Sequence, residues 1–249
     1  MTAARVRRVV TTRAGGHSRE PFRSFNLSAG VGDDPDAVRA NRARLRRELK
    51  VPVTFLRQVH GTAVATVTEP TGLDDPDIDD TDALVTATPG VGIAVLAADC
   101  VPVLLADPVA GVVGAAHAGR VGAAAGVVPA AVAAMTELGA DVGRIEVLLG
   151  PAVCGACYEV PAAMQAEVDA ALPGSAVRTR TGTSGLDIRA GLYHQLVALG
   201  VAKVGADPRC TREDRALFSH RRDRRTGRLA AITWLDPVRD PARDTDGGR

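Results

Sequence analysis

Three side chains that can hold a metal, or act as nucleophile and base, follow apolar stretches of this chain. They are His60 after Phe55-Leu56-Arg57-Gln58-Val59, Cys100 after Ala97-Ala98-Asp99, and His117 after Val113-Gly114-Ala115-Ala116. A polar group left unpaired in such surroundings costs about 1–3 kcal/mol, so each needs a partner. One thiolate and two imidazoles suit Zn²⁺, and three protein ligands leave a fourth tetrahedral position open, the arrangement of a catalytic site. The same Cys100 and His117 can instead form a thiolate–imidazole dyad for nucleophilic hydrolysis. A free buried Cys beside two hydrogen-bonded His is the third reading, and the residues by themselves leave all three open.

A second cysteine pattern, Cys154-Gly155-Ala156-Cys157 downstream of His117-Ala118-Gly119, imitates the zinc nucleobase deaminases. It fails where the chemistry is done, because Gly119 stands in place of the proton-shuttling Glu and Val153 in place of the Pro. As a redox Cys-x-x-Cys it is also weak, since it follows Gly150-Pro151 rather than opening a helix. Gly90-Val91-Gly92 and the glycines from Gly111 to Gly126 complete neither a phosphate-binding loop nor a dinucleotide fingerprint, and read as close backbone packing.

The elements that must position these residues are short. Val6 to Thr12 reads as a strand, and Asp34-Pro35 opens a surface helix carrying Val38, Asn41, Leu45 and Leu49. Val53 to Val59 and Ala63 to Thr68 suggest a hairpin with His60 near its turn. The acidic run from Asp74 to Asp82 reads as an exposed loop. Ile93 to Leu105, apolar at nearly every position, has the pattern of a strand buried on both faces, bent or ended by Pro102. Val112 to His117 follows as a strand and Ala123 to Leu138 as a helix. Arg144 to Leu149 is a strand, Pro161 to Leu172 and Asp187 to Leu199 are helices, and Leu229 to Leu235 is a closing strand.

With 249 residues, no internal repeat and no linker, the chain reads as one α/β domain with a mixed sheet over residues 1–236 and a disordered tail over 237–249. Its 30 Lys and Arg against 29 Asp and Glu give no global field for nucleic acid or an anionic membrane. Four Phe, two Tyr and one Trp make no base-stacking platform, and five His are too few for several copper centres. Four Cys do not make a disulfide scaffold, and residues 1–25 contain no signal-peptide apolar core. The apolar stretch Val109 to Met135 contains His117, Arg120 and Pro129, and so reads as a buried strand and helix rather than a membrane span. These features together fit a reducing cytoplasm.

Taken in order, a set of motifs resembles one known family. They are Thr11-Thr12-Arg13-Ala14-Gly15-Gly16, Phe25-Asn26-Leu27, Gln58-Val59-His60-Gly61, Ala98-Asp99-Cys100-Val101-Pro102, His117-Ala118-Gly119, Cys157-Tyr158-Glu159-Val160, Leu186-Asp187-Ile188 and Ser219-His220-Arg221-Arg222-Asp223. They occur as in the YfiH family, also called the laccase-domain or multicopper polyphenol oxidase family, with the resemblance running from about residue 9 to 235. The resemblance implies a single domain of layered mixed sheets with flanking helices and a cysteine-hydrolase-like core. It implies a zinc site, with copper as the alternative, on His60, Cys100 and His117.

For activity the resemblance implies phosphorolysis of adenosine, inosine and methylthioadenosine, with adenosine deamination as a side reaction; purine nucleosides and phosphate are then the partners. A hydrolase that edits peptidoglycan precursors and a non-catalytic metabolite binder are the competing expectations, and oligomeric state stays open. Arg57, counted among the catalytic residues, is expected on phosphate with Arg13 and Arg120, Asn26 on the nucleoside, and Asp99 orienting a metal ligand. One departure stands out: the family's His-Ala-Gly-Trp-Arg-Gly is here His117-Ala118-Gly119-Arg120-Val121-Gly122, so the Trp is lost and the Arg displaced by one position. Cys157 is expected to pack rather than react.

Overall fold

The structure, a computed structural model, describes residues 3–237. Two sheets stack face to face between helices. The first has the order β1 (Val6–Val10), β12 (Leu229–Leu235), β5 (Gly92–Ala97) and β2 (Val53–Thr54). The second runs β11 (Lys203–Ala206), β8 (Glu146–Leu149), β6 (Val101–Asp107), β7 (Val112–Ala118), β4 (Ala83–Thr86) and β3 (Val64–Thr66). A small antiparallel pair, β9 (Ala176–Arg178) and β10 (Ser184–Leu186), stands apart.

The unbroken apolar runs follow from this layering, because alternate residues of a strand point to opposite faces and here both faces are covered. In β6, Leu104 and Ala106 face the first sheet, meeting Ile93 and Val95 of β5 and Ala231 of β12, while Val103 and Leu105 face the helices. Those helices are α2 (Arg120–Ala125), α3 (Val127–Glu137), α4 (Ala162–Ala171) and α5 (Ile188–Ala198). Residues Val128, Ala131 and Met135 of α3, with Leu192 and Leu196 of α5, are buried against the second sheet. On the outer face of the first sheet, Leu45 of α1 (Pro35–Leu49) packs with Phe25, Leu27, Phe55 and Trp234. Small residues set the spacing: a Cβ at Gly114 of β7 would lie 2.9 Å from Met135 Sδ.

Several expectations change in detail. The apolar run from Ile93 is two strands, β5 and β6, one in each sheet, and the chain crosses between them at Ala98-Asp99-Cys100 with Asp99 at φ 102°. Pro102 lies inside β6 opposite His117 rather than ending the strand. The expected hairpin around His60 does not form: β2 pairs parallel with β5, β3 pairs parallel with β4, and the two lie in different sheets. The expected helix from Ala123 is divided at Gly126, whose φ of 95° suits a residue without Cβ. Asp82, expected on an exposed loop, is fully buried. The expected helices at Asp34-Pro35 and Asp187 are present, each capped by the Asp side chain accepting a backbone N–H. Of the expected tail, residues 238–249 lie outside the described residues.

Among the described residues no helix is long and apolar enough to cross a membrane. If the inter-sheet layer carries the fold, Leu104→Ala lowers unfolding free energy in urea by about 2–5 kcal/mol. Val197→Ala, on the exposed side of α5, changes it by no more than about 0.5 kcal/mol. Equal losses at the two positions would contradict the layering.

Candidate active site

The crossing between the sheets is also where the three singled-out residues meet. In the β6–β7 pairing Val101 lies opposite Ala118 and Pro102 opposite His117, so Cys100 and His117 come from adjacent strand ends. His60 arrives on the loop after β2, and its imidazole stands edge-on to that of His117 with ring centres 4.8 Å apart. The potential ligand atoms of His60, Cys100 and His117 all lie within 4.8 Å of one another, with Cys100 Sγ 3.8 Å from His60 Nε2.

Asp82 holds this arrangement together. One carboxylate oxygen accepts hydrogen bonds from His117 Nδ1 at 2.8 Å and His60 N at 3.0 Å; the other accepts from Gly61 N at 2.7 Å and Val59 N at 3.1 Å. His60 has φ 61°, a left-handed conformation that costs a non-glycine residue about 1–3 kcal/mol and persists only where its surroundings dictate it. Three consecutive N–H groups converging on one buried carboxylate provide that constraint. Gln58 steadies the approach by pairing its amide with both the N–H and the C=O of Leu96 at the end of β5.

Asp82 also sets the electronics. Its burial favours the neutral acid, but the bonds from His117, Gly61 and Val59 outweigh this and hold its carboxyl below the usual range. With the proton fixed on His117 Nδ1, Nε2 is left to face Cys100 and His60. Burial pushes the Cys100 thiol up, but the charge of His117 and hydrogen bonds from His117 and His60 overcome this and bring it down to about 6. Burial likewise disfavours the His117 imidazolium, and Cys100 with Asp82 more than reverse that, raising it to about 9. A thiol in this range is mostly thiolate at neutral pH, the form that ligates metal or attacks an electrophile.

The donor set fits a zinc ion: two imidazole nitrogens and a thiolate, with a carboxylate orienting one His from behind. The backbone leaves room for it, since a Cβ at Gly119 would lie 2.5 Å from His60 Cδ2 and 3.2 Å from Cys100 Sγ. Glycine at 119 is therefore needed for the ligands to converge.

The three residues open onto a cavity of about 880 Å³. Of the other expected residues, Arg57, Asp99 and Arg120 lie on its walls and Arg13 and Asn26 do not. Asn26 is fully buried, its amide spent on Ser28, Asp33 and Arg228 backbone and side-chain groups, so it organises a turn. Arg13 donates to the Arg23 carbonyl and lies over the Phe218 ring. Arg57 is at the rim, its charge matched by Asp79 at 2.9 Å and Asp80 at 3.0 Å. Asp99 does not reach a metal-ligand side chain; it accepts from Thr211 Oγ1 and Arg221 N, tying together wall segments. The orienting role expected of Asp99 falls to Asp82, because Asp99 precedes Cys100 in a turn that aims its carboxylate elsewhere.

Arg120 is the first residue of α2 and lines the cavity, whereas Val121 is about half exposed and is not part of the lining. The displaced arginine thus still faces the site. Arg228, just before β12, also lines the cavity; burial lowers its guanidinium, against the opposite pull of Cys100 and Asp99. Its side chain donates to the Thr226 and Gly227 carbonyls. Among the described residues neither Arg120 nor Arg228 is paired with a carboxylate within 4.0 Å. The aromatic wall is Tyr158, with the Arg221 guanidinium 4.7 Å from its ring centre. Asp82 was legible only as a member of an acidic loop.

Residues 7–236 match the family described as multi-copper polyphenol oxidoreductase laccase. The chain is 55% identical over 237 residues to a purine nucleoside phosphorylase of Mycobacterium tuberculosis, covering 94% of each. It is 53% identical over 233 residues to one of Corynebacterium glutamicum, covering 92% of this chain and 94% of that protein. Among solved structures, YlmD of Geobacillus stearothermophilus superposes with a TM-score of 0.86 at 35% identity, over 93% of this chain and 92% of that one. A Neisseria meningitidis protein of the DUF152 family superposes with a TM-score of 0.85 at 34% identity, over 95% and 99% of the two chains. The Bacillus licheniformis protein YfiH gives 0.85 at 30% identity, over 93% of both.

Two consequences can be measured. In chelator-treated protein, the rate at which iodoacetamide modifies Cys100 should hold nearly constant from pH 8 down to about 7 and fall to half near 6; a midpoint near the ordinary thiol value, about 8.5, would contradict the His117 pairing. Gly119→Ala and Asp82→Asn should each weaken zinc binding by about 10- to 100-fold, measured by competition with a chromogenic chelator. Unchanged affinity in both would show that convergence of the three ligands does not depend on them.

Proposed function

The chain belongs to the multi-copper polyphenol oxidoreductase laccase family, and we propose that it is a zinc-dependent phosphorylase of purine nucleosides. Adenosine, inosine and methylthioadenosine are the substrates, and adenosine deamination is a hydrolytic side reaction. The observation that carries this reading is that, among the described residues, Arg120 and Arg228, with Arg221 over the Tyr158 ring, open without a carboxylate partner onto the same cavity as His60, Cys100 and His117. The relatives named purine nucleoside phosphorylase, at 55% and 53% identity, support it. Oxidation at several copper centres finds little support in a chain with five His, two of which belong to one three-ligand cluster.

In phosphorolysis a phosphate oxygen forms a bond to C1′ of the ribose as the C1′–N bond breaks, and the purine leaves with that electron pair and takes up a proton. Positive charge grows on the sugar and negative charge on the base, so the nucleophile must be held in place and the leaving group offered a donor. Arg120 and Arg228 hold phosphate by charge and by their forked N–H groups. Tyr158, backed by Arg221, offers a flat face for the purine. His220 and Arg221, on the wall around α6 (His220–Asp223), are the donors available to the departing base. His60, Cys100 and His117 would hold a zinc ion, which would supply Lewis acidity when bound. Asp82, on His117 Nδ1, turns Nε2 toward Cys100 and His60 and makes it a stronger donor to a metal once its proton is displaced.

A second reading rests on a specific feature: Asp82, His117 and Cys100 are disposed as orienting carboxylate, base and thiolate, which is the order of a cysteine hydrolase. Hydrolysis of an amide in cell-wall precursors on this site needs no phosphate.

The assay that separates them follows free purine from inosine, adenosine and methylthioadenosine in zinc-loaded protein. Phosphorolysis requires release that depends on phosphate, falls by at least about 10²-fold in Cys100→Ser, and is abolished by a chelator and restored by zinc. Arg228→Met should raise the KM for phosphate more than that for nucleoside. Absence of base release from all three nucleosides would reject the proposal. Phosphate-independent turnover of a cell-wall amide, blocked by a thiol alkylator and untouched by chelators, would establish the hydrolase.

A further inference from the structure

A second set of soft ligands lies on the far side of Asp99 and has no part in the reaction above. Cys154 and Cys157 stand in a Cys-x-x-Cys segment, and Cys210 and Glu213 in a Cys-x-x-Glu segment. Their three sulfurs and a carboxylate oxygen all lie within 4.8 Å of one another, although 52 residues lie between Cys157 and Cys210 in the sequence. Both segments have the same local form. Cys157 N and Tyr158 N donate to the Cys154 carbonyl at 2.9 and 3.0 Å, and Glu213 N and Asp214 N donate to the Cys210 carbonyl at 3.1 and 2.8 Å. Each turn thus presents its first and fourth side chains to one point. The turns are joined by a parallel bridge between Ala152 and Cys210, and Cys154 N donates to Cys210 Sγ at 3.4 Å. Such N–H donation to sulfur stabilises a thiolate rather than a thiol.

The charge around the cluster is equally suggestive. Arg180 pairs with Glu213 and donates its backbone N–H to the Ala156 carbonyl, while Arg212 donates to the Cys157 carbonyl at 3.1 Å. Two cations therefore border a group that would carry excess negative charge as three thiolates and a carboxylate. All four cysteines of the chain are free, so no disulfide uses these ligands.

We propose that Cys154, Cys157, Cys210 and Glu213 form a second site for a thiophilic divalent cation, zinc in the cell, and that this site is structural. Four protein ligands fill a tetrahedral sphere and leave no open position, unlike the three-ligand set at His60, Cys100 and His117. Its effect reaches the cavity through neighbours of the ligands. Val153 N donates to the Asp99 carbonyl at 3.0 Å and Thr211 Oγ1 to the Asp99 carboxylate at 2.6 Å, so both turns are anchored to the residue that precedes Cys100. A cation here clamps the loop bearing Tyr158 to the segment bearing His220 and Arg221. Binding displaces thiol protons to solvent and involves no oxidant.

Metal content and cobalt spectroscopy on the full chain, purified under reducing conditions, test this. Wild type should hold two zinc ions per chain, Cys100→Ser one, and the Cys154→Ser, Cys157→Ser double variant one. Should the double variant fail to fold, Cys100→Ser loaded with cobalt decides, since it retains no thiolate in the first site. It should bind one cobalt with the near-ultraviolet thiolate-to-metal charge-transfer band and the intense visible bands of a tetrahedral, sulfur-rich site, and Glu213→Gln should alter those visible bands. Cobalt bound without a charge-transfer band, or no bound metal with all remaining thiols titrating as free, would overturn the proposal. A disulfide among Cys154, Cys157 and Cys210 in the freshly purified protein would overturn it in favour of a redox pair.

Discussion

A single buried carboxylate organises the active centre. Asp82 has no exposed surface, yet it accepts hydrogen bonds from three successive backbone N–H groups of one loop and from the imidazole of another strand. An ionised carboxylate in such a place would be prohibitively costly without those donors, and the loop around His60 would not keep its left-handed turn without the carboxylate. Each condition supports the other. The result places His60 and His117 within reach of Cys100, directs His117 Nδ1 to the carboxylate and Nε2 toward the thiol, and, through the charge of His117, brings the Cys100 thiol down to about 6.

The layered fold explains why these groups can meet at all. The chain leaves one sheet at Ala97 and enters the other at Val101, so the short Ala98-Asp99-Cys100 crossing joins the ends of an interior strand in each. The core beneath it is built from small aliphatic side chains packed on both faces of β6, which lets the sheets stack closely and keeps their ends in register. Around those strand ends the guanidinium groups divide by their partners. Arg57 is matched by two aspartates and Arg42 by Asp77, whereas Arg120 and Arg228 face the cavity unmatched. Arg120 stands where the family motif carries Trp, so this wall of the cavity presents a guanidinium at that position.

Much of this was legible in the sequence. Polar residues ending apolar runs marked His60, Cys100 and His117, and the strand at Leu229–Leu235 and both Asp-capped helices were readable from pattern and capping chemistry. What escaped were relations between distant segments. Continuous apolarity from Ile93 to Leu105 could not reveal a change of sheet, because both strands are buried on both faces. Asp82 was hidden in an acidic run whose other members are exposed or partly exposed, and nothing local separates a loop carboxylate from one folded beneath a histidine. Asn26 and Arg13 lie in motifs of the family, yet their side chains are consumed by the turns they build. The Cys-x-x-Cys segment lacked a meaning until Cys210 and Glu213 were brought beside it by the parallel bridge at Ala152.

The most direct test of the central claim is the identity of the sugar released when zinc-loaded protein turns over inosine in phosphate buffer. If Arg120 and Arg228 hold phosphate as the nucleophile beside the His60, Cys100 and His117 centre, ribose 1-phosphate forms in equal amount to hypoxanthine. Free ribose in equal amount to hypoxanthine would mean that water is the nucleophile, and would contradict the assignment of the two arginines to phosphate.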